Sequence, residues 1–126
     1  MSLVLDAGAF LAVERGDRDV AALVKRERLA GRVPLTHGGV VGQIWRGGDG
    51  RQVPVARLLA GCDVVALDDE VGRHVGLLLG RTGSRDVVDA AVVLLTADGD
   101  EILTSDPADL TALALAAGVH IELVPV

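Results

Sequence analysis

"EILTSDPADLTALALAAGVHIELVPV", residues 101–126, decides the fold. Its first part, "EILTS" (101–105), has the short β-branched, apolar character of a buried strand. "DPADLTALALAAG" (106–118) opens on Asp and Pro, continues through Ala and Leu, and stops at Gly. Those are the start and stop marks of a helix. "VHIELVPV" (119–126) then reads as a strand again. Strand, helix and strand in succession form the unit from which parallel sheets are built.

Upstream the same alternation repeats. "SLVLD" (2–6) reads as a buried strand, residues 8–16 and 18–30 as helices split near Gly16–Asp17, and "VPLT" (33–36) as a second strand. "GGVVGQIWRG" (38–47) has a helical pattern weakened by its glycines, and "VPVARLLAG" (53–61) is a helix with Pro54 in its first turn. "CDVVALD" (62–68) is a third strand, followed by a helix to about Gly80, a helix over roughly 85–97 and a turn at "DGD" (98–100). Apolar strands alternating with helices, joined by right-handed crossovers, predict a three-layer α/β/α sandwich around a parallel sheet. The absence of a linker or repeat predicts one domain over residues 1–126.

Composition narrows the functions. The chain is 50% hydrophobic yet holds one Phe, one Trp and no Tyr, so Val, Leu and Ala must fill the core. A single cysteine, Cys62, excludes an internal disulfide and a thiolate zinc site. The lack of a membrane-length apolar run and of a basic leader predicts a soluble cytoplasmic protein. A net charge of −6 argues against a surface that attracts nucleic acid everywhere. Lys25 is the only lysine.

In a doubly wound sheet, ligands bind beyond the carboxyl ends of the strands, where strand order reverses. Acidic residues recur at those ends: Asp6, Asp68–Asp69 and Asp106. Asp86 and Asp89 stand three residues apart in the otherwise apolar "SRDVVDAAVVLL" (84–95) and would project from one face of a helix. If the first and fourth strands are neighbours, Asp6, Asp86 and Asp106 meet. Carboxylates about 5 Å apart repel by roughly 3 kcal/mol per pair at an effective dielectric of ~20. A hard cation relieves this, and an all-oxygen donor set suits Mg²⁺ or Mn²⁺ rather than zinc. Each acid also has a purely structural reading: Asp6 and Asp106 are placed to cap helices, and Asp86 sits in the first turn of its helix, where the dipole favours negative charge. Asp89, deeper in an apolar segment, is the hardest to explain that way.

"VLDAGAF" (4–10), "SRDVVDAAVV" (84–93) and "ILTSDPADL" (102–110), taken in order, resemble the PIN-domain ribonucleases, and more narrowly the VapC-type toxins of bacterial toxin–antitoxin pairs. The resemblance spans essentially the whole chain and lies in the ordered set. It implies a five-stranded parallel sheet in the order 3-2-1-4-5. It also implies Mg²⁺-dependent endonucleolytic cleavage of RNA (with Mn²⁺ as a substitute), inhibition by a cognate antitoxin, and a homodimer. Asp6, Asp86 and Asp106 match the family's metal-binding acids. Asp89 falls where the family more often has an apolar residue, and Asp109 is either an outer group of the site or a cap. The family's usual glutamate on the third helix is replaced by Gln43, within "VVGQIWR" (40–46). An amide brings no charge, which weakens cation affinity and removes a candidate base. Asp89 could supply the missing charge.

Around these acids, Thr104 and Ser105 could hold the Asp106 carboxylate or a metal-bound water, or simply end their strand. Arg46 and Arg85 could grip an RNA phosphate; solvation or internal ion pairs is the plainer reading. His37 is expected at the surface or as a cap, Trp45 packed rather than stacking on bases, and "KRER" (25–28) a solvated helix face. Rival classes lack their signatures. A phosphoacceptor receiver domain needs a lysine at the end of its last strand, a haloacid-dehalogenase-like phosphatase an acid where Gly8 stands, and a Walker-type binder its Gly-Lys-Ser/Thr. The alternative that Gln43 keeps open is a catalytically weakened PIN-fold protein that binds antitoxin or RNA without cutting.

Overall fold

The computed structural model describes residues 1–48 and 50–126. Five strands, β1 (Leu3–Leu5), β2 (Leu35–His37), β3 (Asp63–Val65), β4 (Glu101–Thr104) and β5 (Glu122–Pro125), form one sheet in the order β3-β2-β1-β4-β5. Every pairing is parallel. Seven helices join them: α1 (Ala7–Glu14), α2 (Arg18–Leu29), α3 (Gly38–Ile44), α4 (Val53–Ala60), α5 (Asp69–Thr82), α6 (Val87–Leu94) and α7 (Pro107–Ala117). Helix α1 packs on α2, α3 and α4, while α5, α6 and α7 pack on one another. These two groups are the outer layers that right-handed crossovers place on opposite faces of the sheet. The architecture and strand order are those expected from the sequence and its resemblance.

Burial explains why the central strands carry such apolar runs. Leu3, Val4 and Leu5 of β1 and Ile102 and Leu103 of β4 are covered from both sides, whereas the edge strand β3 leaves Asp63 and Val64 exposed. The one phenylalanine, Phe10, is fully buried, and Val, Leu, Ile and Ala fill the space around it. No helix among the described residues is long and apolar enough to cross a membrane.

Several elements are shorter than the sequence predicts, among them α3, α6, β3 and the last strand, β5, which spans four residues rather than eight. Helix α3 stops at Ile44, and Trp45 is already extended at φ −80°, ψ 128°. The cause is Gln52, a buried amide whose Oε1 accepts from the backbone N–H of Arg46 at 2.8 Å and of Gly47 at 3.2 Å, while its Nε2 donates to the Ile44 carbonyl at 2.8 Å. Helix α6 starts at Val87 because Asp86 turns back to cap it. Strand β3 has three residues rather than seven, since it pairs on one side only.

The "KRER" stretch is not uniformly solvated. Lys25, Arg26 and Arg28 are exposed, but Glu27 is buried and bonded to Arg32 through both oxygens, at 2.8 and 3.1 Å. Asp100, also buried, accepts from the Ser2 and Ala97 amides, tying the start of β1 to the turn before β4. Both carboxylates are structural.

Candidate active site

Strand order reverses between β1 and β4, the two central strands. Their register pairs Leu5 with Leu103, so the chain leaves both strands at the same edge. Asp6 follows β1 directly, its amide donating to the Leu103 carbonyl at 3.1 Å. Asp106 lies two residues beyond β4. Helix α6 starts over the same edge and delivers Asp86 and Asp89. Asp6, Asp86, Asp89, Asp106 and Asp109 line one open cleft of about 410 Å³, with Gln43 and Arg46 from the region of α3 on its wall. A larger cavity, about 460 Å³ between α7 and β5, contains none of these acids.

The acids are held differently. Asp6 is buried, with one oxygen accepting from the Ala7 amide at 2.8 Å and the other from the Thr104 hydroxyl at 3.0 Å. The same hydroxyl accepts from the Asp106 amide at 3.0 Å. Thr104 thus orients the Asp6 carboxylate and not, as the sequence suggested, that of Asp106. Asp86 occupies the N-cap of α6 and accepts from the Asp89 amide at 3.0 Å. The two are therefore a cap and a first-turn residue rather than two positions on one helix face. Asp106 occupies the N-cap of α7 without making a side-chain cap bond. Its capping explanation fails, and its carboxylate faces the cleft.

Gly8 makes the approach of α1 to this edge possible. A Cβ there would sit 2.7 Å from the Ser105 amide nitrogen and hydroxyl. Ser105 itself is exposed and lines the cleft. Asp109 is exposed at the start of α7 on the same rim, Gln43 and Arg46 are exposed, and Arg46 Nη1 donates to the carbonyls of Gly42 and Trp45. Arg85 is exposed beside Asp86 but is not among the residues lining the cleft.

Electrostatics mark the cluster. Burial first, then the charges of Asp86, Asp6, Asp109 and Asp106, push the Asp89 carboxyl from its ordinary 3.8 up to about 7. Burial also raises Asp6, opposed by its two hydrogen bonds and assisted by Asp106 and Asp86. These carboxylates are mutually repulsive and, apart from the hydrogen bonds named, uncompensated. Among the described residues no three His, Cys, Asp or Glu side chains form a ready-made metal cage. The donor set is nevertheless all oxygen, and Asp106, exposed and without a side-chain cap bond, has its carboxylate uncommitted. Such a cleft fits a hard cation that keeps part of its water shell and takes only one or two carboxylates directly.

His37 takes the capping role of the two expected for it: it is the N-cap of α3, and it is buried at 2% exposure rather than at the surface. Nδ1 accepts from the Gly39 amide at 3.0 Å, which leaves the proton on Nε2 to donate to the Val88 carbonyl at 3.2 Å. Burial lowers its pKa and keeps it neutral. His37 thereby ties α3 to α6, both of which contribute residues to the cleft.

The sheet is parallel in this order, with acids gathered at its switch point. No family model and no curated protein matches the sequence. Among solved structures, a chain of VapBC2 from Rickettsia felis, bound to a DNA fragment from their promoter, superposes with a TM-score of 0.72. The match covers 98% of this chain and 99% of that one at 9% identity. The likeness is one of fold: the architecture is that of the VapC PIN domain.

Proposed function

We propose that the chain is a metal-dependent endoribonuclease toxin of a toxin–antitoxin pair, acting in the cytoplasm and partnered by a cognate antitoxin and a second copy of itself. The observation that carries this reading is the meeting of Asp6, Asp86, Asp89 and Asp106 in one cleft beyond the carboxyl ends of β1 and β4. Asp6, Asp86 and Asp106 would hold Mg²⁺ or Mn²⁺, with Asp89 contributing further charge. Such an ion supplies Lewis-acid polarisation of a phosphoryl oxygen and acidification of water. The protein's own part is positional. Thr104 and the Ala7 amide fix the Asp6 carboxylate, and Arg46, which also lines the cleft, would bind a phosphate of the RNA. The antitoxin would cover apolar surface on the early helices, where Leu11 and Leu29 are exposed.

Gln43 supports a second reading. It stands on the cleft wall where resemblance to the family calls for a glutamate, so an attenuated enzyme acting as a binding module has a specific basis. Incubation of the purified chain with structured RNA and Mg²⁺ or Mn²⁺ separates the two. Cleavage that Asp6→Asn abolishes and Gln43→Glu increases supports an attenuated nuclease. RNA left intact by both the parent and Gln43→Glu proteins rules the nuclease out.

A further inference from the structure

Gln52 is not among the residues lining the acidic cleft, yet its amide is spent around the one that brings positive charge to it. Gln52 occupies the N-cap position of α4 but makes no side-chain bond to that helix. The residue is only 8% exposed, and its side chain reaches back to the end of α3. Oε1 accepts from the Arg46 amide at 2.8 Å and from the Gly47 amide at 3.2 Å. Nε2 donates to the Ile44 carbonyl at 2.8 Å and to Glu14 Oε2 at 3.1 Å, which anchors the group to α1. Gly47 and Gly48, at φ 78° and 40°, supply the left-handed backbone on which the chain leaves α3. Trp45, expected from the sequence to pack, lies within this segment and is 43% exposed.

Arg46 is thus held at both ends. Its amide is bound by Gln52, and its guanidinium folds back on α3, Nη1 donating to the Gly42 carbonyl at 3.2 Å and the Trp45 carbonyl at 2.7 Å. Asp6, Asp86, Asp89, Asp106 and Asp109 line the same cleft, but Arg46 forms an ion pair with none of them. Its charge therefore stays available to an anion. A flexible side chain loses freedom when a ligand immobilises it, and one already tethered loses less. This tether depends on the end of α3 staying fixed, because the accepting carbonyls belong to residues 42 and 45 and the main chain beside them is bound by Gln52.

We infer that Gln52 is a positioning residue: by clamping the end of α3 it fixes Arg46 where a phosphate of the RNA meets the cleft. The inference rests on the nuclease reading for the identity of the anion, but concerns how the phosphate is held and not how its bond is cut. A buried neutral amide that does not line the cleft then governs an electrostatic contact with the ligand. That distinguishes the role from ordinary helix packing, which leaves the number of phosphate contacts unchanged.

The test measures binding of a labelled single-stranded oligoribonucleotide to the full chain by anisotropy, over a series of KCl concentrations. Ca²⁺, a hard cation for oxygen donors, replaces Mg²⁺, and the strand is recovered afterwards to verify that it is intact. Arg46→Gln should weaken binding about 10-fold or more, the loss of one charge-assisted hydrogen bond. It should also lower the slope of log K against log salt by ~0.7, the share of one phosphate on a single strand. Gln52→Met nearly keeps the side-chain volume and alters no charge, yet should weaken binding about 3- to 10-fold and lower the salt slope in the same sense. Added to Arg46→Gln, it should weaken binding no further, since both act through one contact. Glu27→Gln, which removes a buried ion pair outside the cleft, should bind as the parent does and so controls for lost stability. If Gln52→Met does not fold, Gln52→Asn, whose amide is one methylene short of its partners, is read in the same way. Unchanged affinity and salt slope in the Gln52 variant, losses that multiply in the double variant, or no binding by the parent would each overturn the inference. Failure of the nuclease reading looks different: Gln52 and Arg46 remain coupled in binding, but the strand is not cut when Mg²⁺ is supplied.

Discussion

Asp89→Asn should stabilise the metal-free protein above neutral pH and blunt its response to Mg²⁺. The Asp89 side chain is 9% exposed, and neither a hydrogen bond nor a cation among the described residues offsets its burial. Its carboxyl titrates at about 7 instead of 3.8. At 1.36 kcal/mol per pH unit this corresponds to ~4 kcal/mol against the ionised form; water in the open cleft screens part of the repulsion, leaving ~2 kcal/mol. Below 3.8 the group is protonated in both folded and unfolded chains, so the substitution gains nothing. Between 3.8 and about 7 the folded chain keeps a proton that the unfolded chain releases, and stability falls as pH rises through that window. Above about 7 both states are ionised and the whole penalty stands. Urea melts in EDTA should therefore show Asp89→Asn more stable by ~2 kcal/mol near pH 8, a Tm gain of roughly 8 °C, with the gain shrinking steadily toward pH 4. Saturating Mg²⁺ should raise the Tm of the parent more than that of the variant, because an ion that binds only the folded form stabilises it by mass action. A variant no more stable than the parent near pH 8, or a gain independent of pH, would refute the account of the cleft as a store of unrelieved charge.

Three further outcomes follow, two from the supports of the site and one from a buried ion pair elsewhere in the fold. Gly8→Ala places a Cβ 2.7 Å from Ser105 N and Oγ, so it should cost ~1–3 kcal/mol in a urea melt and lower any nuclease activity by moving Asp6. Thr104→Val keeps the shape of a fully buried side chain but deprives the Asp6 carboxylate of a donor and the Asp106 amide of an acceptor. A loss of ~1–3 kcal/mol is expected, with the Asp6 pKa, followed by NMR, moving further up. Glu27→Gln should cost ~1–3 kcal/mol at neutral pH. The hydrogen bond from Arg32 is the main cause holding the Glu27 pKa below its ordinary 4.5. Its stabilisation is thus present above 4.5 and lost as pH falls through the lower folded value, so the cost should vanish in acid.

Much of this protein was legible along the chain because its information is local. The Asp-Pro start and Gly118 end of α7 mark that helix wherever it packs, and Gly118 takes the left-handed φ of 71° that such an end requires. Strands flanked by helices imply a parallel sheet for the same reason, and the ends of its strands name Asp6 and Asp106 as candidates. Tertiary structure decided what each candidate does, since that depends on partners far away in sequence. Asp6 and Asp106 are both placed to cap helices, yet the distant Thr104 hydroxyl commits the second oxygen of the first, while the second acid is left facing the cleft. His37 is buried because α6 passes over it, and Trp45 is exposed because Gln52 breaks α3 beneath it. No pattern of neighbouring residues records an amide eight positions beyond the helix's last residue competing for its hydrogen bonds. That competition is settled only when the chain is packed and each buried polar group must find a partner.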